Sequence, residues 1–172
     1  MNAIPEIINA FNVYNKGKKF MGISGAVTLP TMDAITETIN GAGILGEYET
    51  SVPGHFGSME QEIPFRVLEE GAFEAIEEDG VVNLTFRASE QSTVQATSKL
   101  KYSGMRIVER GRLKGINAGS LENGKQMSSS LTIEVLYYMV EIDGSTVIEL
   151  DKLNSIFKLN GNDMLAKVHQ YS

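Results

Sequence analysis

Apolar and polar residues alternate with period two along much of this chain, the signature of half-buried strands. The odd positions from Ile7 to Val13 give Ile7, Asn9, Phe11 and Val13, and those from Lys19 to Leu29 include Met21, Ile23, Val27 and Leu29. Lys16-Gly17-Lys18 supplies a turn between them, which predicts an N-terminal hairpin ending at Leu29-Pro30. A third strand is expected over Ile35 to Asn40. Ile63, Phe65 and Val67 then alternate with Pro64 and Arg66 in a strand able to pair with it, the proline marking an edge or a strand beginning. Further strands are expected at Val81 to Ala88, Leu100 to Lys114, Leu131 to Ile142, Val147 to Leu150 and Ile156 to Leu159, with turns at Asp143-Gly144 and Asn160-Gly161. Helical spacing is confined to EEGAFEAIEED, where Phe73 and Ile76 lie three apart before Gly80, and to a short DMLAKV near the end. The expected fold is mainly β: an antiparallel sandwich or barrel with one flanking helix and a long extended loop or hairpin, in a single domain over residues 1–172.

That long loop, residues 40–58, interrupts the pattern. Seventeen residues lie between Asn40 and Ser58, five of them glycine, yet they include Ile44, Leu45, Tyr48, Val52 and Phe56, which a free linker has little reason to carry. Those groups need a surface to pack on. A second copy of the chain would serve, with the glycines allowing close backbone approach.

Composition narrows the function classes. The chain is 42% hydrophobic and 22% charged, with a net charge of −7 and no cysteine. It folds, it has no general affinity for nucleic acid or an anionic membrane, and it offers no thiolate. VLYYMV, the longest apolar run, is far below the roughly 20 residues of a spanning helix, and the first residues lack a secretory pattern.

Candidate chemistry is sparse. His55 and His169 are 114 positions apart with no metal-ligand spacing, so neither a metal nor a cofactor is implied. His55 in PGHFGS reads as a packed or interfacial imidazole. Gly41, Gly43 and Gly46 satisfy G-x-G-x-x-G, but EYETSVPGHFG follows where a phosphate site needs a helix N-terminus. QMSSSL has no nucleophile elbow. The one electrostatic feature is Arg106, Arg110, Arg112 and Lys114 on one face of a strand, opposed elsewhere by six acidic residues in 69–79, so a charged interface between copies is expected.

A resemblance completes the reading. Ile4-Pro5, FNVY at Phe11 to Tyr14 with Gly17, Leu29-Pro30, ETINGAGILGE and PGHFGSM resemble the N-terminal half of the major tail tube protein family of contractile-tailed bacteriophages, also used in R-type bacteriocin particles. RGRLKGINAGS and YYMVEIDGSTVIELDKLNSIFKLNGNDMLA resemble its C-terminal half. The resemblance implies two packed β-sheets with a flanking helix, six subunits per ring, and rings stacked into a hollow tube whose inner barrel all six share. It implies no enzyme activity and no cofactor. The implied partners are the chain itself, the tail sheath, tape-measure, baseplate and tail terminator proteins, with DNA only as passing cargo, in a virion tail or tail-like particle made in a bacterial cytoplasm. The 40–58 segment becomes the ring-stacking element, with Gly41, Gly43, Ile44, Leu45, Gly46, Tyr48, His55, Phe56 and Gly57 carrying that role. A type VI secretion-like tube is the alternative from a related class. A free β-sandwich binding module is another, but it needs an aromatic platform, and tryptophan is absent.

Overall fold

The computed structural model describes residues 2–20 and 22–172. Eleven strands and two short helices follow one another: β1 Ala3–Asn15, β2 Lys18–Lys19, β3 Ala34–Asn40, β4 Glu47–Phe56, β5 Glu60–Phe65, α1 Glu70–Glu74, β6 Val81–Val94, β7 Leu100–Asn117, β8 Ser129–Ile142, β9 Ser145–Asp151, β10 Ile156–Leu159, β11 Asn162–Asp163 and α2 Ala166–Tyr171. Every pairing is antiparallel. Nine strands form one sheet in the order β11-β10-β9-β8-β7-β6-β1-β2, with β5 on β8, while β3 and β4 pair only with each other.

The sheet divides at β8. β7 runs along one edge of that strand, and β5 and β9 share the other edge in succession, at 129–134 and 137–142. The β5 branch then closes the sheet. The chain after β2 lies along β5, where the Ser24 amide donates to Pro64 O, the Arg66 amide donates to Gly22 O, and Ile23 bridges Phe65. Strands β1, β6, β7, β8 and β5 thereby form a small barrel around Val13, Leu84, Phe86, Ile107, Ile133, Ile63 and Phe65.

Most expected strands are present, and their turns follow the sequence. Lys16-Gly17, Asp143-Gly144 and Asn160-Gly161 each join two strands with both central residues at positive φ, the backbone that matches strand twist in a two-residue loop. Four expectations need correction. The second strand, Lys19 to Leu29, shrinks to Lys18–Lys19, because Gly22 and Gly25 at positive φ break the extended run and turn it into a strap held by Gln61 Nε2 on Thr28 O; Met21, assigned to that strand, lies outside the described residues. The partner of β3 is β4, inside the segment expected to be a loop, and β5 pairs with β8 instead. The acidic helix spans only Glu70–Glu74, since no side chain caps its start and Ile76 leaves it to bridge Val82. Its buried face is Ala72 and Ala75, whereas Phe73 is exposed.

Candidate functional site

Two elements stand outside the barrel without cover. The first is a plate made from the outer lengths of β1, β6 and β7. Val13, Phe86 and Ile107 fill the core in register, but toward Ala3, Val94 and Leu100 the same strands run beyond it. There Ile4, Ile7, Ile8, Leu100 and Tyr102 are 48–59% exposed, and Phe11 is only partly covered. Register puts Ile4, Ile7, Leu100 and Tyr102 on one face of the plate, and Ile8 with Phe11 on the other. From Ala3 to Asn12 the outer edge of β1 has no strand partner among the described residues. Unpaired amides and carbonyls beside exposed isoleucines make a surface open to pairing with another strand. Period two alone makes β1 an ordinary half-buried strand and does not disclose this plate, although the adjacent Ile7 and Ile8 break the alternation and mark the spot.

The second element is the β3–β4 ribbon. Gly41, Gly43 and Gly46 take positive φ at its tip, with the Ile44 amide closing a turn on Gly41 O. Both of its faces are exposed over most of its length, Leu45 entirely so and Tyr48 by half. From Glu47 to Pro53 it extends roughly 20 Å. A two-stranded ribbon by itself is marginal in water, so its partner must come from elsewhere.

The base of the ribbon is fixed to the body. Phe56 packs edge-on against Phe157 with centroids 5.0 Å apart, the Gly57 amide donates to Asp33 O, and Lys152 Nζ donates to Gly57 O at 2.8 Å. Gly54 lies so near Leu165 that an added Cβ would meet its side chain at 2.9 Å. Around the exit, the Glu134 carboxylate accepts from Ser58 Oγ at 2.5 Å and from the Met59 amide, and it pairs with Lys114 and Lys152. Burial pushes that carboxyl upward, but these donors outweigh it and hold it below the usual carboxylate range. The expected stacking set therefore splits. Gly41, Gly43, Ile44, Leu45, Gly46 and Tyr48 are presented outward, whereas Phe56 and Gly57 serve the anchor. His55 joins His169 in a cleft with Leu165 and Val168, where α2 lies against the ribbon base.

The basic stripe is largely answered from within. Arg106 pairs with Glu141 at 2.5 Å, Lys114 with Glu60 and Glu134, and Arg110 stacks over Tyr137 at 4.9 Å from the ring centre. Arg112 has no acidic partner among the described residues. The opposite face of β7 holds a feature that escaped notice. Glu109 is 2% exposed between Leu84 and Tyr138, neither carboxyl oxygen has a partner, and burial pushes it up to about 8. Its trace in the sequence is a lone acid in the series Ile107, Glu109, Gly111, Leu113.

Among the described residues no cluster of histidines and carboxylates could hold a metal, and no helix is long and apolar enough to cross a membrane. Comparison with known proteins bears on the two bare elements. The family profile described as "Phage tail tube protein FII" matches residues 5–171. The "Tail tube protein" of Escherichia phage P2 is 28% identical over 172 residues, covering 95% of this chain and 94% of the relative. The "Major tail tube protein" of Serratia phage KSP20 is 27% identical over 170 residues, covering 94% of this chain and 92% of the relative.

Proposed function

Because this chain belongs to the phage tail tube protein family, and is a structural subunit rather than an enzyme, we propose that six copies close into a ring and that rings stack into a hollow tube. The bare plate joins neighbours within a ring, and the β3–β4 ribbon reaches the next ring. The unpaired edge of β1 carries this reading. A strand edge that pairs with a different edge of the next copy makes a head-to-tail contact, and such contacts end only by closing. Closure removes the edge and yields one continuous barrel lined by all copies.

The tube is of the contractile type, and the fact that both relatives come from phages favours a virion tail over a secretion tube. Its outer partner is a sheath and its inner passengers are a tape-measure protein and then DNA. A baseplate starts the stack and a terminator ends it. The net charge of −7 suits a conduit that releases phosphate instead of trapping it. Purified protein viewed by negative-stain electron microscopy, over a range of concentration and salt, shows rings or hollow rods if this reading holds. Protein that stays monomeric and also fails to extend tubes from tube-primed baseplates excludes it.

A further inference from the structure

We propose that the cleft lined by Arg110, Arg112, Leu136, Tyr137 and Leu153 receives the tip of the β3–β4 ribbon from a second copy of this chain. The inference rests on the tube reading above and names the surface that the ribbon meets.

The ribbon requires an acceptor that its own chain does not provide. Between Ile35 and Val52 its hydrogen bonds, including Thr36 to Glu49 and Ile44 to Gly41, stay within the ribbon among the described residues. Its tip offers Leu45 and Ile44, and residues 34–56 carry Glu37, Glu47 and Glu49 with no lysine or arginine. An acceptor must therefore be concave, partly apolar and basic.

The cleft has these properties. It encloses about 280 Å³ beside the β9–β10 turn. Leu153 is 70% exposed at its rim, while Leu136 and Tyr137 are half-buried in its wall. The other two cations of the stripe, Arg106 and Lys114, are already ion-paired, whereas Arg112 has no acidic partner among the described residues and Arg110 stacks on Tyr137 and faces the charge of Asp151 without an ion-pair contact. The one carboxylate in the cleft, Asp151, is occupied by the amides of Leu153 and Asn154 and by Asn154 Nδ2 at 2.7 Å. Spacing adds to charge. Glu47 and Glu49 are two apart on one face of β4, as Arg110 and Arg112 are on β7, so both pairs repeat at roughly 7 Å. Two carboxylates can then meet two guanidinium forks while Leu45 reaches Leu136 and Leu153.

The absence of cysteine makes the test direct. Leu45→Cys and Leu153→Cys proteins, each carrying a change at an exposed position, are mixed under mild oxidation and resolved on a non-reducing gel. A Leu45→Cys with Leu121→Cys mixture is the control, Leu121 being 87% exposed elsewhere. The expected result is a mixed dimer enriched over the control. Arg110→Glu with Arg112→Glu should lower its yield about tenfold, and combining that reversal with Glu47→Arg and Glu49→Arg should restore it. A mixed dimer no more abundant than the control, or one indifferent to charge reversal, overturns the site; rods formed by the unmodified protein would leave the tube reading intact. Cross-linking in a protein that forms no rods and extends no primed baseplate keeps the contact and removes the tube reading.

Discussion

Strands β6 and β7 each lead two lives. From Val82 to Phe86 and from Ile107 to Leu113 buried residues alternate with half-buried or exposed ones, and the inward residues meet Ile63, Phe65 and Ile133. Beyond Ala88 and below Met105 the two strands stay paired, and β6 stays paired with β1, but no core lies behind them: β6 is mostly half-buried there and Leu100, Lys101, Tyr102 and Gly104 of β7 are exposed. Pairing alone, then, does not stabilise a sheet. The inner length is held by its own core, whereas the outer length has no such core within the subunit, as the proposed contact with other copies requires.

The contrast is sharpest where a core residue is removed. Phe65, 1% exposed, anchors the closure of the barrel, and Phe65→Ala should cost about 3–5 kcal/mol in urea unfolding of the isolated subunit. A comparable loss from Ile7→Ala in the monomer would erase the distinction. Ile4→Asp with Ile7→Asp should do the reverse: unfolding of the monomer changes little, while association measured by sedimentation weakens by about 2–4 kcal/mol, since the burial of two isoleucines on association is lost.

Glu109 tests whether the inner length is as closed as it looks. The folded protein retains that proton up to about pH 8, whereas the unfolded chain releases it near 4.5. Between those values the folded state binds more protons, so the contribution of this group to stability is full below pH 4.5, is lost as pH rises, and is flat above 8. Glu109→Leu should therefore raise the thermal midpoint at pH 9 by the equivalent of a few kcal/mol and far less at pH 5. A pH-independent effect would mean water already reaches the carboxyl. The smallest change is expected at Arg106→Ala, whose half-exposed pair with Glu141 spans the junction of the two lengths; about 1 kcal/mol or less should be lost in the same unfolding assay.

These contrasts also explain what the sequence could disclose. Period two is a record of one-sided burial, so β6 to β10 and the Asp143-Gly144 and Asn160-Gly161 turns are legible. Strand β4 is not. EYETSVPGHF exposes nearly every side chain on both faces and contains Pro53, so no alternation is imposed on it and its sequence reads as a loop. The strand expected over Lys19 to Leu29 fails for the opposite reason, since Phe20, Ile23 and Val27 pack on the core but the backbone at Gly22 and Gly25 does not extend. The basic stripe was visible, but its neutralisation was not: Glu141, Glu60 and Glu134 lie 35, 54 and 20 positions from their partners and arrive only through cross-strand register. As for the site, the tip of the ribbon was found through its glycines and apolar groups, and the family pattern gave it a role. The plate stayed hidden because an isoleucine destined for a neighbour looks the same as one destined for the core.

Register between β1 and β6 slips twice, at Glu6 and at Asn9, and Glu6 is held there by Gln91 Nε2 and Thr93 Oγ1. Each extra residue coils its strand more tightly. If this strand meets the next copy as proposed, its coiling sets the angle at which that copy joins, and the angle sets how many copies complete a circle. The calibre of the proposed conduit would then depend on two residues that have no backbone partner across the ladder.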